Sequence, residues 1–307
     1  LQLRDAGVRR MREGRVAVAM LVGAAAGVLL AATVLIPNFE PPGIFLAAAA
    51  LLAMFGTIEA NRPHLNAARE TMDMNGKVVL ITGVGDRGQL GWAIARRFLG
   101  AGARVAITNR SGDLAALAAE LGPPPAVLGV NADLTADDDI ARLFGAIRER
   151  FGRLDALVHA AGGLSVTKPV AETDPVEWRR ELERNADTTF RISRAALPLL
   201  RESRGALVHF ASPAGLRAVA SLGAYSAAKA AVIALTRAIA LEEKRHGVRA
   251  NAIAPGMIDT EQNRSTATPD TRYVTRDQVA EVALFLASES GSGMSGETVR
   301  VMGDSLS

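Results

Sequence analysis

The chain is expected to fold as an α/β protein: a doubly wound parallel sheet between two layers of helices, a three-layer α/β/α arrangement over residues 72–307. Three observations lead there. From Asn75 onward, short apolar or β-branched runs alternate with helical patterns, the order that builds a parallel sheet with helices on both faces. The first such run, Val78-Val79-Leu80-Ile81, is apolar at every position, as suits a strand buried on both sides. A glycine-rich turn follows it directly.

The elements are expected in this order. A strand over 77–82 leads through the glycines into a helix over 91–100, which opens on the amphipathic run WAIARRFLG. A strand over 104–108 ends in Thr108-Asn109-Arg110, and a helix covers 113–121. A strand over 126–130 runs into NADLT, and a helix covers 136–151. A strand over 154–159 reaches HAAG at 159–162, and a long helical stretch fills 175–200. A strand over 205–211 delivers Ser212. The apolar pattern AAVIALTRAIALEE sets a helix over 225–245. A strand over 248–253 leads into NAIAPGMIDT, a helix covers 277–288, and a last strand covers 297–301.

Residues 1–71 have a different texture. Residues 16–36 carry no charge over 21 positions, about 31 Å of helix and close to the hydrocarbon thickness of a bilayer. A second apolar run covers 44–58, roughly 22 Å long, which is short for a span. Arginines flank the pair, and the loop between them carries Glu40 with no Lys or Arg. The positive-inside rule then puts both ends in the cytoplasm. An N-terminal apolar helical hairpin, anchoring a cytoplasmic domain to a membrane, is the favoured expectation. A secretory signal peptide, or a shorter soluble chain starting near Met72 or Met74, are the alternatives.

Composition narrows the function. The formal net charge is +3 and no basic stripe stands out, so nucleic acid is not an expected partner. The absence of cysteine removes disulfides and thiol catalysis. The four histidines, at 64, 159, 209 and 246, have no ligand spacing, and no metal is expected.

The turn reads TGVGDRGQLG, and Gly83-x-Gly85-x-x-Gly88 matches the dinucleotide fingerprint. Glycines let the backbone approach a pyrophosphate, and the following helix N-terminus offers free N–H groups. The acid that usually follows about 20 residues later, to bind a ribose 2′-hydroxyl, is replaced by Asn109 with Arg110 after it. Arg110, with Arg87 of the turn, suits a 2′-phosphate, so NADP(H) is expected over NAD(H).

Tyr225 and Lys229 are four apart on a helix and share a face. An ammonium beside a phenol favours the phenolate and lowers its pKa from about 10, which suits general acid–base work. Ser212 ends a strand, on the side where ligands bind a doubly wound sheet. Asn185 is a polar residue inside the long helical stretch.

Together the glycine-rich turn, Asn185, Ser212 and Tyr225-x-x-x-Lys229 resemble the short-chain dehydrogenase/reductase family, as do NADLT, HAAG, NAIAPGMIDT and SGETVRVMGD. The resemblance spans about residues 75–304 and is most similar to acyl-carrier-protein ketoreductases and related carbonyl reductases. It implies a Rossmann-like fold and a homodimer or homotetramer built on the helices around 136–151, 175–200 and 225–245. It implies that Tyr225 gives a proton to a carbonyl oxygen, that Ser212 orients that oxygen and that Lys229 holds the nicotinamide ribose. Asn185 would support a water that feeds protons to Lys229. Asp133 and Leu134 would meet the adenine end, Ala160, Ala161 and Gly162 the ribose, and Pro255, Gly256, Ile258 and Thr260 the nicotinamide end.

The turn is two residues longer than the family's, so Gly83 and Gly91 are its safe anchors. Arg87-Gly88 is either a displaced family pair or a bulge above the adenosine. The segment Met257 to Arg276 is short for a lid. The expected activity is hydride transfer between NADPH and a small-molecule carbonyl, a lipophilic ketone or 3-oxoacyl chain foremost. The alternative is a non-catalytic NADP(H)-binding sensor or scaffold.

Overall fold

The computed structural model describes residues 72–265, 268 and 271–303. The candidate helices at 16–36 and 44–58 lie outside the described residues.

Seven parallel strands form one sheet in the order β3-β2-β1-β4-β5-β6-β7. They are β1 (Val78–Thr82), β2 (Arg104–Asn109), β3 (Val127–Asn131), β4 (Ala156–His159), β5 (Ala206–Phe210), β6 (Arg249–Pro255) and β7 (Thr298–Val301). All seven expected strands are present. The order reverses between β1 and β4, and at that point ligands bind a doubly wound sheet.

Alternate residues of β1 feed two separate cores. Val79 and Ile81 face α1 (Leu90–Gly100), α2 (Leu114–Leu121) and the C-terminal helix, where Ile94, Phe98, Leu114 and Leu284 meet them. Val78 and Leu80 face α3 (Asp137–Phe151) and its neighbours, through Leu143, Ile147, Ile192 and Leu200. Both sets are fully or nearly fully buried. Each such side chain stabilises the fold by roughly 1.5–3 kcal/mol, which is why the strand has no polar face.

The long helical stretch is not one regular helix. It consists of α4 (Pro175–Leu182), a π-helical segment Glu183–Asp187 and α5 (Thr188–Ser203). The Asp174 side chain and Glu177 form a capping box that starts α4. A single π-turn adds a residue to the helical ladder and turns the side chains that follow; here it contains Asn185. After β5 come α6 (Pro213–Leu216) and α7 (Gly223–Glu242). The lid after β6 contains α8 (Glu261–Arg264), and α9 (Arg276–Ala287) precedes β7. Thr275 and Gln278 cap α9 reciprocally. Among the described residues α7 alone is long and apolar enough to cross a membrane. It is half buried within the fold, packed on β6 and α4.

Candidate active site

A cleft of about 1020 Å³ opens at the reversal of strand order. Gly83 follows β1 and has φ +73°; a Cβ there would lie 2.7 Å from the backbone nitrogen of Ala161 after β4. A Cβ on Gly91 would lie 2.8 Å from Val84 Cα. These two glycines let the β1 turn, the β4 turn and α1 close on one another, so they are the anchors the lengthened turn requires.

The α1 N-terminus opens on this cleft through Gln89, Leu90 and Gly91. No side chain caps it and its first turn has no acid. Free N–H groups at a positive dipole end fit a pyrophosphate. The Thr108 hydroxyl ends β2 in the cleft lining and is buried without a hydrogen-bond partner, an orphan group that a bound nucleotide would satisfy. The residues present therefore fit a dinucleotide.

Most of the expected cofactor residues line this cleft: Gly83, Gly88 and Gly91 of the first turn, Arg110, Asp133 and Leu134 at one end, and Ala160, Ala161 and Gly162 beside β4. Ile258 and Thr260 line it from the lid. Pro255 and Gly256 do not; Gly256 instead donates to the Val301 carbonyl at 2.9 Å. Arg87 does not line it either. Its guanidinium pairs with Glu120, and its carbonyl accepts from Arg276. The Arg110 guanidinium makes no hydrogen bond or ion pair among the described residues, though its charge helps lower Asp133, while Asn109 accepts from the Arg110 backbone N–H at 3.0 Å. Asp133 accepts from the Thr135 backbone and hydroxyl, which holds its carboxyl below the usual carboxylate range.

Gly162 joins the cleft to the reacting side chains. A Cβ on it would lie 2.8 Å from Asn185 Oδ1 and 3.6 Å from Lys229 Nζ. Asn185 Oδ1 accepts from Gly163 N at 3.0 Å, and its amide nitrogen donates to the Gly163 carbonyl at 3.0 Å. Lys229 Nζ is buried and donates to the Phe210 carbonyl at 2.7 Å. The Lys229 ammonium also stands 5.7 Å from the Tyr225 ring centre. Gly215 brings the segment after Ser212 against α7, since a Cβ there would lie 2.6 Å from the Lys229 carbonyl carbon. The structure thus brings Asn185, Ser212, Tyr225 and Lys229 together.

Their electrostatics correct one expectation. Burial pushes the Tyr225 phenol up from 10.0, the Ser212 hydroxyl lowers it and the Glu181 charge raises it. Burial pushes Lys229 down to about 8. Desolvation, rather than the neighbouring ammonium, sets the phenol, which is held protonated.

Sequence reasoning missed three groups. Glu181, one helical turn before Asn185, is fully buried beside the site. Arg180 and Arg184 line the cleft from α4 and the π segment. The four-residue spacing of Glu181 and Asn185 was the available signal.

The family model described as enoyl-(acyl carrier protein) reductase matches residues 83–303. The chain belongs to the short-chain dehydrogenase/reductase family. Among its relatives in that family is the L-fucose dehydrogenase of Bos taurus, 36% identical over 231 residues, covering 70% of this chain and 84% of the relative. Another is the 3-oxoacyl-[acyl-carrier-protein] reductase MabA of Mycobacterium bovis, 34% identical over 236 residues, covering 73% and 91%. The solved 7α-hydroxysteroid dehydrogenase, complexed with NADH and 7-oxo glycochenodeoxycholic acid, superposes with a TM-score of 0.70 at 27% identity, over 76% of this chain and 96% of that one. Family membership makes this chain an oxidoreductase of small molecules that takes NAD(H) or NADP(H).

Proposed function

We propose that this chain is an NADPH-dependent reductase that converts a lipophilic ketone, such as a 3-oxoacyl chain, to a secondary alcohol. The observation that carries the reading is a partly buried Tyr225, its phenol pushed up by burial, beside Ser212 and one helical turn from Lys229, whose Nζ approaches the dinucleotide cleft at Gly162. A reduced nicotinamide bound in the cleft supplies the hydride. Tyr225 gives its proton to the carbonyl oxygen, and the Ser212 hydroxyl holds that oxygen as negative charge develops on it. Lys229 returns a proton towards the phenol, and Asn185 orients the path behind it. Tyr225 and Lys229 are four residues apart, which favours a carbonyl reductase over an enoyl reductase.

The preference for NADP(H) rests on Arg110, which lines the cleft just after β2 and makes no side-chain hydrogen bond or ion pair among the described residues, and on Asn109 before it, at the position where NAD-binding chains carry an acid. The preference for lipophilic substrates rests on an apolar rim. Leu164 after β4, Leu216 and Val219 after β5, and Met257 after β6 are 43–48% exposed. All four lie on segments that leave the carboxyl ends of strands, the side of the sheet where Ser212 is delivered, and they favour an acyl or steroid-like ketone over a sugar. Phe190 on α5 and Leu241 on α7 are also exposed and suit a homodimer or homotetramer. The hairpin at 16–36 and 44–58 would hold the domain at the cytoplasmic face of a membrane.

A panel of long-chain 3-oxoacyl thioesters, steroid ketones and sugars, followed at the reduced-nicotinamide absorbance with NADPH and NADH, tests the reading. Preference for lipophilic ketones with NADPH supports it. Equal turnover of water-soluble and lipophilic ketones counts against the substrate class.

A further inference from the structure

A carboxylate lies buried behind the reacting group, and the reaction as described does not use it. Glu181 of α4 is fully buried. Three donors reach it: the Ser165 N–H at 3.0 Å, the Ser165 hydroxyl, and the Asn185 amide at 3.1 Å. The Asn185 amide nitrogen faces two further acceptors, the Glu181 and Gly163 carbonyls, both at 3.0 Å. Asn185 Oδ1 faces a donor, the Gly163 N–H. Only one orientation of the amide satisfies this surrounding, and Glu181 supplies two of the acceptors that enforce it.

The carboxylate also answers a charge. Lys229 is buried and has no carboxylate within ion-pair reach among the described residues, and a buried ammonium without a counter-charge is costly. The charge of Glu181 favours the protonated form of both Lys229 and Tyr225. The other ionisable groups around the site do not replace it. His159 at the end of β4 and His209 of β5 are buried, and desolvation holds both imidazoles neutral. Glu177 on α4 pairs with Lys168, and Arg180, Glu183 and Arg184 are exposed where they line the cleft. α6 has no ionisable side chain. The single ionisable residue of β6, Arg249, is bonded to carbonyls at the strand's far end.

We infer that Glu181 is a positioning residue of the proton path: it locks the Asn185 amide in one orientation and is the buried counter-charge to the Lys229 ammonium. The inference rests on the proposed role of Tyr225 as proton donor. Glu181 does not touch the substrate; it acts through Asn185 and through its field.

The chain has two tyrosines, Tyr225 and Tyr273, so a Tyr273→Phe background leaves Tyr225 as a lone reporter. Spectrophotometric titration of tyrosinate in that background, without substrate or nucleotide, reads the phenol directly. Glu181→Gln is expected to move the Tyr225 midpoint to lower pH, and Glu181→Asp, which keeps the charge, to hold it near the parent's. An unmoved or raised midpoint in Glu181→Gln overturns the inference. So does failure of both variants to fold, which would make the carboxylate purely structural. Ketone-dependent NADPH oxidation by the parent is scored separately. A parent without turnover removes the carbonyl reading, while the titration still decides whether Glu181 governs the phenol. With turnover present, Glu181→Gln is expected to lower kcat and leave KM for NADPH unchanged.

Discussion

Lys229 Nζ donates to the Phe210 carbonyl at 2.7 Å, which ties the helix carrying the acid to the strand that delivers Ser212 two residues later. The ammonium is therefore a strut, and in the proposed reaction also a proton carrier. Its burial pushes it down to about 8, so it titrates within a working pH range.

That value gives a pH profile. Below about pH 8 Lys229 holds its proton, and the rate of ketone reduction is expected to be level. As pH rises through about 8 the ammonium loses its proton and the rate falls, while Tyr225 is still a phenol. Lys229→Arg, whose guanidinium stays charged, is expected to lower kcat and remove that limb. Initial rates across pH for both proteins check this; a limb unchanged in the variant would assign it to another group.

His209 sets an acid limit on stability. It sits between Ser193 and Thr236, both at 2.9 Å, and burial pushes it from 6.5 to about 4. Between those values the unfolded chain binds the proton and the folded chain does not, so stability is expected to fall as pH drops from 6.5 towards 4. The full effect is on the order of 3 kcal/mol. Urea midpoints across that window measure it, and His209→Gln is expected to reduce the dependence, leaving the part that His159, also held neutral by burial, contributes.

Arg110 and Arg87 are expected to separate cleanly. Arg110→Ala removes a charge-assisted contact worth about 1.5–3 kcal/mol, so NADPH is expected to bind roughly 10- to 150-fold more weakly with NADH little changed. Arg87→Ala only breaks an exposed pair with Glu120 and is expected to leave both affinities alone. Calorimetric titration with each nucleotide distinguishes the two.

Gly91→Ala forces a methyl to 2.8 Å from Val84 Cα. Overpacking of this kind costs about 1–3 kcal/mol, and here it also pushes α1 off the turn. A lower melting temperature together with weaker nucleotide binding is the expected result. Gly145→Ala on α3, where nothing lies within 4 Å of the new methyl, is the control.

The strands were legible because burial on both faces demands unbroken apolar runs, as in Val78–Thr82, and no surface pattern competes with that signal. The spacing of Tyr225 and Lys229 on one helix was legible for the same kind of local reason. The break at Glu183–Asp187 was not, because a π-turn has no composition of its own and reads as continuous helix from Pro175 onward. The pairing of Arg87 was not legible because its partner, Glu120, lies 33 residues away on α2. The Tyr225 phenol misled because local spacing reveals a neighbouring ammonium but not the desolvation that pushes the phenol up.

The central claim is that Tyr225 hands its proton to a ketone as NADPH is consumed. The most direct measurement compares the parent and Tyr225→Phe for ketone-dependent loss of NADPH absorbance, with nucleotide affinity determined alongside. The account expects turnover in the parent and a loss of about 10²- to 10⁴-fold in the variant, with NADPH still bound. Equal rates in the two proteins, or no ketone-dependent oxidation by the parent, would contradict it.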